Sequence, residues 1–72
     1  MDKWTGELIG NMHNNHITIE DVANKMGYSK AYVSMILNCK RKPPNIEIKM
    51  KAAVDDLIAE KRETRKEDEN ET

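Results

Sequence analysis

Residues 18–42 read TIEDVANKMGYSKAYVSMILNCKRK, and this stretch predicts two short helices joined by a tight turn. Thr18 with Asp21 three residues later has the pattern of a capping box, which marks the start of the first helix. Gly27 marks its end, because glycine adopts a positive φ at little cost. Between these signals the apolar residues recur at the spacing of one helix face, namely Ile19, Val22, Ala23 and Met26.

The second helix begins after Ser29, a favourable N-cap residue, and the sequence predicts helix over about residues 30–38. Val33, Ile36 and Leu37 form its inward face at helical spacing. The methyl side chain of Ala23 permits a close crossing of the two helices, where a larger side chain would hold them apart. The stretch therefore predicts a helix-turn-helix. The outward positions are Ala31, Ser34, Met35 and Asn38.

These residues resemble the Cro and lambda-repressor-like helix-turn-helix family. The spacing is carried by Ala23, Gly27, Val33 and Ile36, and the segments Tyr32-Val-Ser34 and Asn38-Cys-Lys-Arg-Lys-Pro43 are similar to that family's recognition helix and following loop. The resemblance covers roughly residues 5–58. It implies an all-α domain of four helices, or five where the family's last helix is present, that binds operator DNA.

The flanking segments complete the predicted core. A first helix is expected from about Lys3 to His13, with Asp2 as a candidate N-cap and with Trp4, Leu8, Ile9 and Met12 near one face. Trp4 is expected to be a main contributor to burial. Pro43-Pro44 closes the loop after the second helix of the motif. Asn45 is expected to cap a fourth helix, whose inward face is predicted at Ile46, Met50, Ala53, Val54 and Leu57.

Two isoleucines, Ile48 and Ile58, fall outside that apolar face. They are either ordinary surface residues or part of a subunit contact. No segment corresponds to the family's fifth helix, which often shapes the dimer contact, so the resemblance does not fix the oligomeric state.

The charge divides along the chain. Residues 1–54 carry eight basic and five acidic residues, and residues 55–72 carry four basic and eight acidic ones. The formal net charge of -1 thus combines a weakly basic domain with an acidic end, which is compatible with DNA binding because local potential governs phosphate contacts. We expect a helix-turn-helix domain over residues 1–60 and a frayed helix end with an acidic, disordered tail over residues 61–72.

Composition and motifs argue against an enzyme, a metal-binding protein and a membrane protein. Paired catalytic carboxylates, a nucleophile motif and a phosphate-binding loop are lacking, so no enzymatic activity, cofactor or small-molecule ligand is expected. His13 and His16 lie three residues apart without further ligands nearby in sequence, and we expect a solvated loop rather than a metal site. One cysteine and the lack of a long apolar run favour a non-membrane protein of a reducing cytoplasm. The resemblance implies that this is the bacterial cytoplasm, with association to the nucleoid.

The resemblance assigns candidate DNA contacts residue by residue. Base contacts are expected from Lys30, Ala31, Ser34 and Met35, with Lys30 donating to guanine and the apolar side chains meeting thymine methyl groups. Phosphate contacts are expected from the basic loop after the recognition helix and from polar groups at the two ends of that helix. These residues are Ser29, Tyr32, Asn38, Lys40, Arg41 and Lys42.

Three residues depart from the family's pattern. Ile19 stands where relatives often carry a glutamine that contacts phosphate, so that contact is not expected. Leu37 replaces a frequent acidic residue, so packing should replace an ion pair to the first helix. Cys39 stands where a glycine is usual, which requires a left-handed conformation either at Cys39 or at Asn38.

The resemblance therefore implies a phage or bacterial regulator of transcription, expected to be a repressor, that inserts the helix at about residues 30–38 into the major groove of double-stranded DNA. A homodimer is expected at least on DNA. The alternative is a helix-turn-helix fold used as a protein-protein interaction module, since a fold does not determine a function.

Overall fold

Four α-helices follow one another in the part of the chain that is described. In the computed structural model this part comprises the backbone of residues 2–71 and the side chains of residues 2–63, and no strand lies within it. The prediction of a small all-α domain with four helices is confirmed. The helices are α1 (Lys3–Asn14), α2 (Ile19–Met26), α3 (Lys30–Leu37) and α4 (Ile46–Glu71).

The core lies where α4 crosses the other helices, with α2 packed against both α3 and α4 and α1 packed against α3 and α4. Its side chains are almost all aliphatic, as expected for a small domain whose stability depends on apolar burial. Every residue of the predicted inward faces of α3 and α4 is buried or packs on the core. The core cluster contains Leu8, Met12, Ile17, Val22, Ala23, Val33, Ile36, Leu37, Ile46, Met50 and Val54.

Trp4 does not carry the burial that the sequence predicts. It is half-buried at the edge of the core, whereas Thr5 beside it is fully buried at 0 % exposure. The buried face of α1 is formed by Thr5, Leu8 and Met12, and this rotation leaves Ile9 39 % exposed. Thr5 can be buried because its hydroxyl has a hydrogen-bond partner in the backbone, the carbonyl of Asp2.

Local signals set the ends of α2 as predicted. The Thr18 hydroxyl accepts from the amide of Asp21 at 3.1 Å, and the Asp21 carboxylate accepts from the amide of Thr18 at 3.0 Å. Gly27 has φ 75°, and the amide of Tyr28 donates to the carbonyl of Ala23 at 2.9 Å. This bond, between residues five apart in sequence, is the wider of the two bonds of a Schellman motif. It satisfies a carbonyl at the helix end that would otherwise be unpaired.

The N-terminal cap of α4 differs from the prediction. Asn45 precedes Ile46 with φ 60°, whereas capping residues are usually extended so that the side chain can accept from the first turn. Only its carbonyl takes part, accepting from the amide of Lys49 at 3.1 Å. The left-handed residue lets the chain turn from Pro43-Pro44 into the helix, and asparagine tolerates this conformation better than most residues.

The two isoleucines outside the predicted apolar face of α4 have different environments. Ile58 is half-buried and packs against the core, so it belongs to the domain interior rather than to a free surface. Ile48 is 70 % exposed.

The second half of α4 remains attached to the first part of the chain. Lys25 on α2 donates to Glu60 at 2.6 Å, and this bond is the main reason that the pKa of Lys25 is raised above its ordinary value. Lys61 donates to the carbonyl of His16 at 2.7 Å. Contacts with the domain thus continue to residue 61, and the helical backbone continues to Glu71. The tail side chains beyond residue 63 lie outside the described residues, so the fraying and disorder expected for the tail stay predictions.

Candidate nucleic-acid interface

The helix-turn-helix stretch folds as two eight-residue helices joined by Gly27, Tyr28 and Ser29. Ala23 is 2 % exposed on the face of α2 that packs against its neighbours, as expected for a residue that permits close crossing. Ser29 caps α3, since its hydroxyl accepts from the amide of Tyr32 at 3.1 Å. The predicted cap, turn and crossing residue are therefore all present, and together they fix where α3 begins.

The four predicted base-contacting residues all lie on α3 but are not equally exposed. Lys30 and Ala31 in its first turn are exposed, whereas Ser34 and Met35 in its second turn are half-buried. A partner approaching α3 would therefore meet the first turn more fully than the second. The Lys30 ammonium forms no ion pair with any other described residue.

Asn38 folds back along α3. Its side-chain amide donates to the carbonyl of Ser34 at 2.8 Å and lies 3.4 Å from the Ser34 hydroxyl oxygen. These bonds occupy donor groups of Asn38, leaving its side-chain carbonyl oxygen as an acceptor, which cannot bind phosphate. Asn38 is thus placed beside the predicted phosphate contacts, but its side chain is engaged within the helix.

Tyr32 packs its ring against Tyr28. The ring centroids lie 5.0 Å apart with the planes at 87°, an edge-to-face arrangement that is worth about 0.5–1.5 kcal/mol beyond the buried area. Both tyrosines are half-buried against the core. Tyr28 was not singled out by the sequence patterns because it lies in the turn. Tyr28 precedes α3, so the four-residue spacing of helical side-chain pairs does not predict this contact. The contact joins the turn to the first turn of α3.

The first turn of α3 offers donor groups to an anion. The amides of Tyr32 and Val33 are bonded to the side chain and carbonyl of Ser29. The amides of Lys30 and Ala31 precede the first intrahelical bond, as at any helix start. Together with the positive end of the helix dipole they favour negative charge near Ser29 and Lys30.

Three basic residues follow α3 directly, and all three are exposed. Lys40 and Arg41 form no ion pair with any other described residue, whereas Lys42 lies 3.4 Å from the carboxylate of Asp2. The sequence assigns these three cations one role. In the structure Lys40 and Arg41 have no ionic partner among the described residues, whereas Lys42 is partly neutralised by Asp2.

The left-handed residue at the end of α3 is Cys39. It has φ 62°, whereas Asn38 has φ -92°, so the alternative left open by the sequence is settled in favour of the cysteine. The amide of Cys39 donates to the carbonyl of Ile36 at 3.0 Å, and that of Lys40 donates to the carbonyl of Met35 at 2.8 Å. These are the two bonds of a Schellman motif, and they end α3 just before the basic loop.

The other two departures from the family's pattern have clear environments. Leu37 is 3 % exposed and belongs to the core, so packing takes the place of an ion pair, as predicted. Ile19 is half-buried and lines an apolar groove of about 390 Å³ that also includes Ile9, Ile17 and Leu37. The groove runs beside the C-terminal end of α3, with Asn38 at its margin.

The two histidines are not brought into a cluster of metal ligands. Among the described residues no group of three or more His, Cys, Asp or Glu side chains is placed to hold a metal ion. His16 has φ 58° and closes the end of α1, where the amide of Ile17 donates to the carbonyl of Met12 at 2.8 Å. Its backbone conformation therefore gives it a structural role in the turn.

Comparison with known proteins leaves the family open. No family model, curated protein or solved structure matches this chain. Within the described residues, none of the helices combines the length and apolarity needed to cross a membrane. The functional conclusion depends on the residues themselves.

Proposed function

We propose that the protein is a DNA-binding regulator of transcription that inserts α3 into the major groove. The observation that carries this proposal is the placement of cations at both ends of the exposed face of α3, none of which is paired with another residue in the part of the chain that is described. Lys30 lies at its start, and Lys40 with Arg41 lies just beyond its end. Eight helical residues span about 12 Å, which is close to the width of the major groove.

In this arrangement the two ends of α3 have different tasks. Lys40 and Arg41 contact phosphates, which position the protein without reading sequence. Lys30 and Ala31 lie in the exposed first turn, where a recognition helix meets base edges. Ser34 and Met35 in the second turn are half-buried, so they offer less side-chain surface to the base edges. None of these side chains gives the bidentate recognition of arginine, asparagine or glutamine, so part of the specificity is expected from DNA shape.

The mode of regulation follows from the family resemblance. A regulator of this kind represses by occupying an operator and blocking polymerase. Binding as a dimer to symmetric half-sites would place two copies of α3 one DNA turn apart, about 34 Å. Because the core of the monomer is small, a second copy bound to it would add stability.

The proposal is tested by titrating a fluorescent duplex of random sequence at several salt concentrations. With Lys40 and Arg41 neutralising two phosphates per monomer, log K should fall against log salt with a slope of about -2. Lys40→Ala and Arg41→Ala should each weaken binding on every duplex and reduce the slope by about 1.

Lys51→Ala is the control for net charge, because it removes one positive charge from an exposed residue of α4 that lies beside Glu7 and Asn11 of α1. Unlike Lys40 and Arg41, Lys51 is paired with Glu47. The control variant should leave the slope nearly unchanged. Equal losses in all three variants would indicate a general charge effect, and an affinity independent of salt would refute phosphate binding.

A protein-protein interaction module is the second candidate. The observation that favours it is the apolar groove at Ile9, Ile17, Ile19 and Leu37, since grooves of this kind can receive an apolar side chain of a partner. The same titration separates the two candidates. A protein that fails to bind random duplex at low salt would support the interaction module.

A further inference from the structure

The start of α1 is tied to the loop that follows α3. The amide of Asp2 donates to the sulfur of Cys39 at 3.3 Å, across 37 residues of sequence. The Thr5 hydroxyl donates to the carbonyl of Asp2 at 2.7 Å and lies 3.9 Å from the same sulfur. We refer to Asp2, Thr5 and Cys39 together as the N-terminal clasp.

The clasp holds a residue whose backbone sets the direction of the basic loop. Cys39 is left-handed, with φ 62°, a conformation that is unfavourable for any residue with a Cβ atom. Glycine would adopt it at lower cost but would offer no side chain to hold. The cysteine instead carries a sulfur that accepts from Asp2, and Lys40 and Arg41 are the next residues along the chain.

We infer that the N-terminal clasp holds the loop after α3 in the conformation in which Lys40 and Arg41 meet phosphate, so that Thr5 is a positioning residue for DNA binding. This inference rests on the proposed function. Thr5 is fully buried and touches no DNA itself. It acts through Asp2 and Cys39, because its hydroxyl holds the carbonyl of Asp2, the residue whose amide donates to the sulfur.

The role of Thr5 can be separated from the folding of α1. The carbonyl of Asp2 also accepts from the amides of Thr5 at 3.2 Å and Gly6 at 3.4 Å, so Thr5→Val leaves this acceptor bonded. Valine has nearly the same shape and removes only the hydroxyl. Thr5→Ser keeps the hydroxyl and is the conservative control.

The test measures two quantities for each variant. The first is the rate at which an aromatic disulfide reagent modifies the thiol of Cys39, which is the one cysteine in the chain. The second is the affinity for random duplex DNA at low salt. Thr5→Val should react several times faster than the natural protein and bind DNA several times more weakly, while Thr5→Ser should match the natural protein in both.

A double-mutant cycle adds a second measurement in case Thr5→Val alters the fold. Cys39→Ala removes the sulfur and should weaken DNA binding by a similar factor. If the clasp acts as one unit, the double variant should bind no more weakly than either single variant, whereas independent sites would give multiplied losses. Multiplied losses would overturn the inference.

The remaining outcomes are also decisive. An unchanged thiol rate in Thr5→Val would show that no clasp restrains Cys39. A faster thiol reaction with unchanged DNA affinity would show that the clasp does not position the loop. If the natural protein binds no duplex, the proposed function and the positioning role both fail, and the thiol rates still report whether the clasp exists.

Discussion

Lys42 differs from its two basic neighbours because it already has an anionic partner. Its ammonium lies 3.4 Å from the Asp2 carboxylate, with the two side chains 66 % and 39 % exposed. An exposed pair of this kind contributes little to stability, about 0–1 kcal/mol, but the carboxylate competes with phosphate for the lysine and repels phosphate itself. In the proposed complex with DNA the side chain of Asp2 would therefore oppose binding, while its backbone belongs to the clasp.

We predict that Asp2→Asn strengthens binding to DNA. The substitution removes the carboxylate charge and retains the backbone groups that contact Thr5 and Cys39. Affinity for random duplex should rise several-fold at low salt, and the slope of log K against log salt should become steeper by about 1 as Lys42 gains a phosphate. Glu47→Gln is the matched control, since it frees Lys51 from an equivalent exposed pair on α4. Unchanged affinity in Asp2→Asn would remove Lys42 from the phosphate contacts.

The helix ends show how far local sequence patterns reach. Thr18, Gly27 and Ser29 are predicted correctly because their chemistry is local and residue-specific. The left-handed conformations at His16, Cys39 and Asn45 are harder to predict, because glycine is the only residue type with a strong preference for positive φ. At Cys39 the sequence leaves two alternatives, and the choice depends on contacts with Asp2 and Thr5 that lie far away along the chain.

The turn between α2 and α3 gives a prediction about stability. Gly27→Ala should lower the free energy of unfolding by about 1 kcal/mol, because the residue must keep a positive φ. An added Cβ at Gly27 meets no atom within 4 Å, so the cost is one of backbone conformation alone. Gly10→Ala in α1 also meets no atom within 4 Å and should raise stability by about 1 kcal/mol.

Urea unfolding followed by circular dichroism measures both variants. We expect Gly27→Ala to lower the free energy of unfolding and Gly10→Ala to raise it. Equal destabilisation by the two substitutions would contradict the assignment of the left-handed turn to Gly27.

On the scale of the whole molecule, α4 joins the basic domain to the acidic end of the chain. The exposed Lys25–Glu60 pair and the Lys61 bond to His16 attach its middle to α2 and to the turn after α1. Beyond Lys61 the sequence carries three basic and five acidic residues. This excess of negative charge disfavours an approach to DNA at low salt.

We predict that a chain ending at Lys61 folds and binds DNA more tightly than the full chain. The predicted core residues and both attachments of α4 are retained, so the urea midpoint should change little. Affinity for random duplex should rise modestly at low salt, and the difference should shrink as salt screens the removed charges. A large loss of stability on truncation would show that the segment beyond Lys61 belongs to the domain.

The fold and the candidate interface differ in how far the sequence predicts them. Apolar periodicity predicts the faces of α3 and α4, because burial depends on spacing along one helix. It misses the rotation of α1 that buries Thr5 instead of Trp4, since that depends on which face meets α3 and α4. The candidate DNA contacts are also predicted only in part from the sequence. Residue type predicts Lys40, Arg41 and Lys42 as equivalent cations, whereas tertiary contact makes Lys42 different.

We propose that α3 and the loop after it form the surface that meets DNA. Nuclear magnetic resonance can test this proposal by following backbone amide signals as random duplex DNA is added at low salt. We predict that the largest shifts fall within residues 29–42, with small shifts along the face of α4 that carries Lys51. Shifts concentrated on α4 or around the apolar groove at Ile9 and Ile19, or no shifts at all, would contradict it.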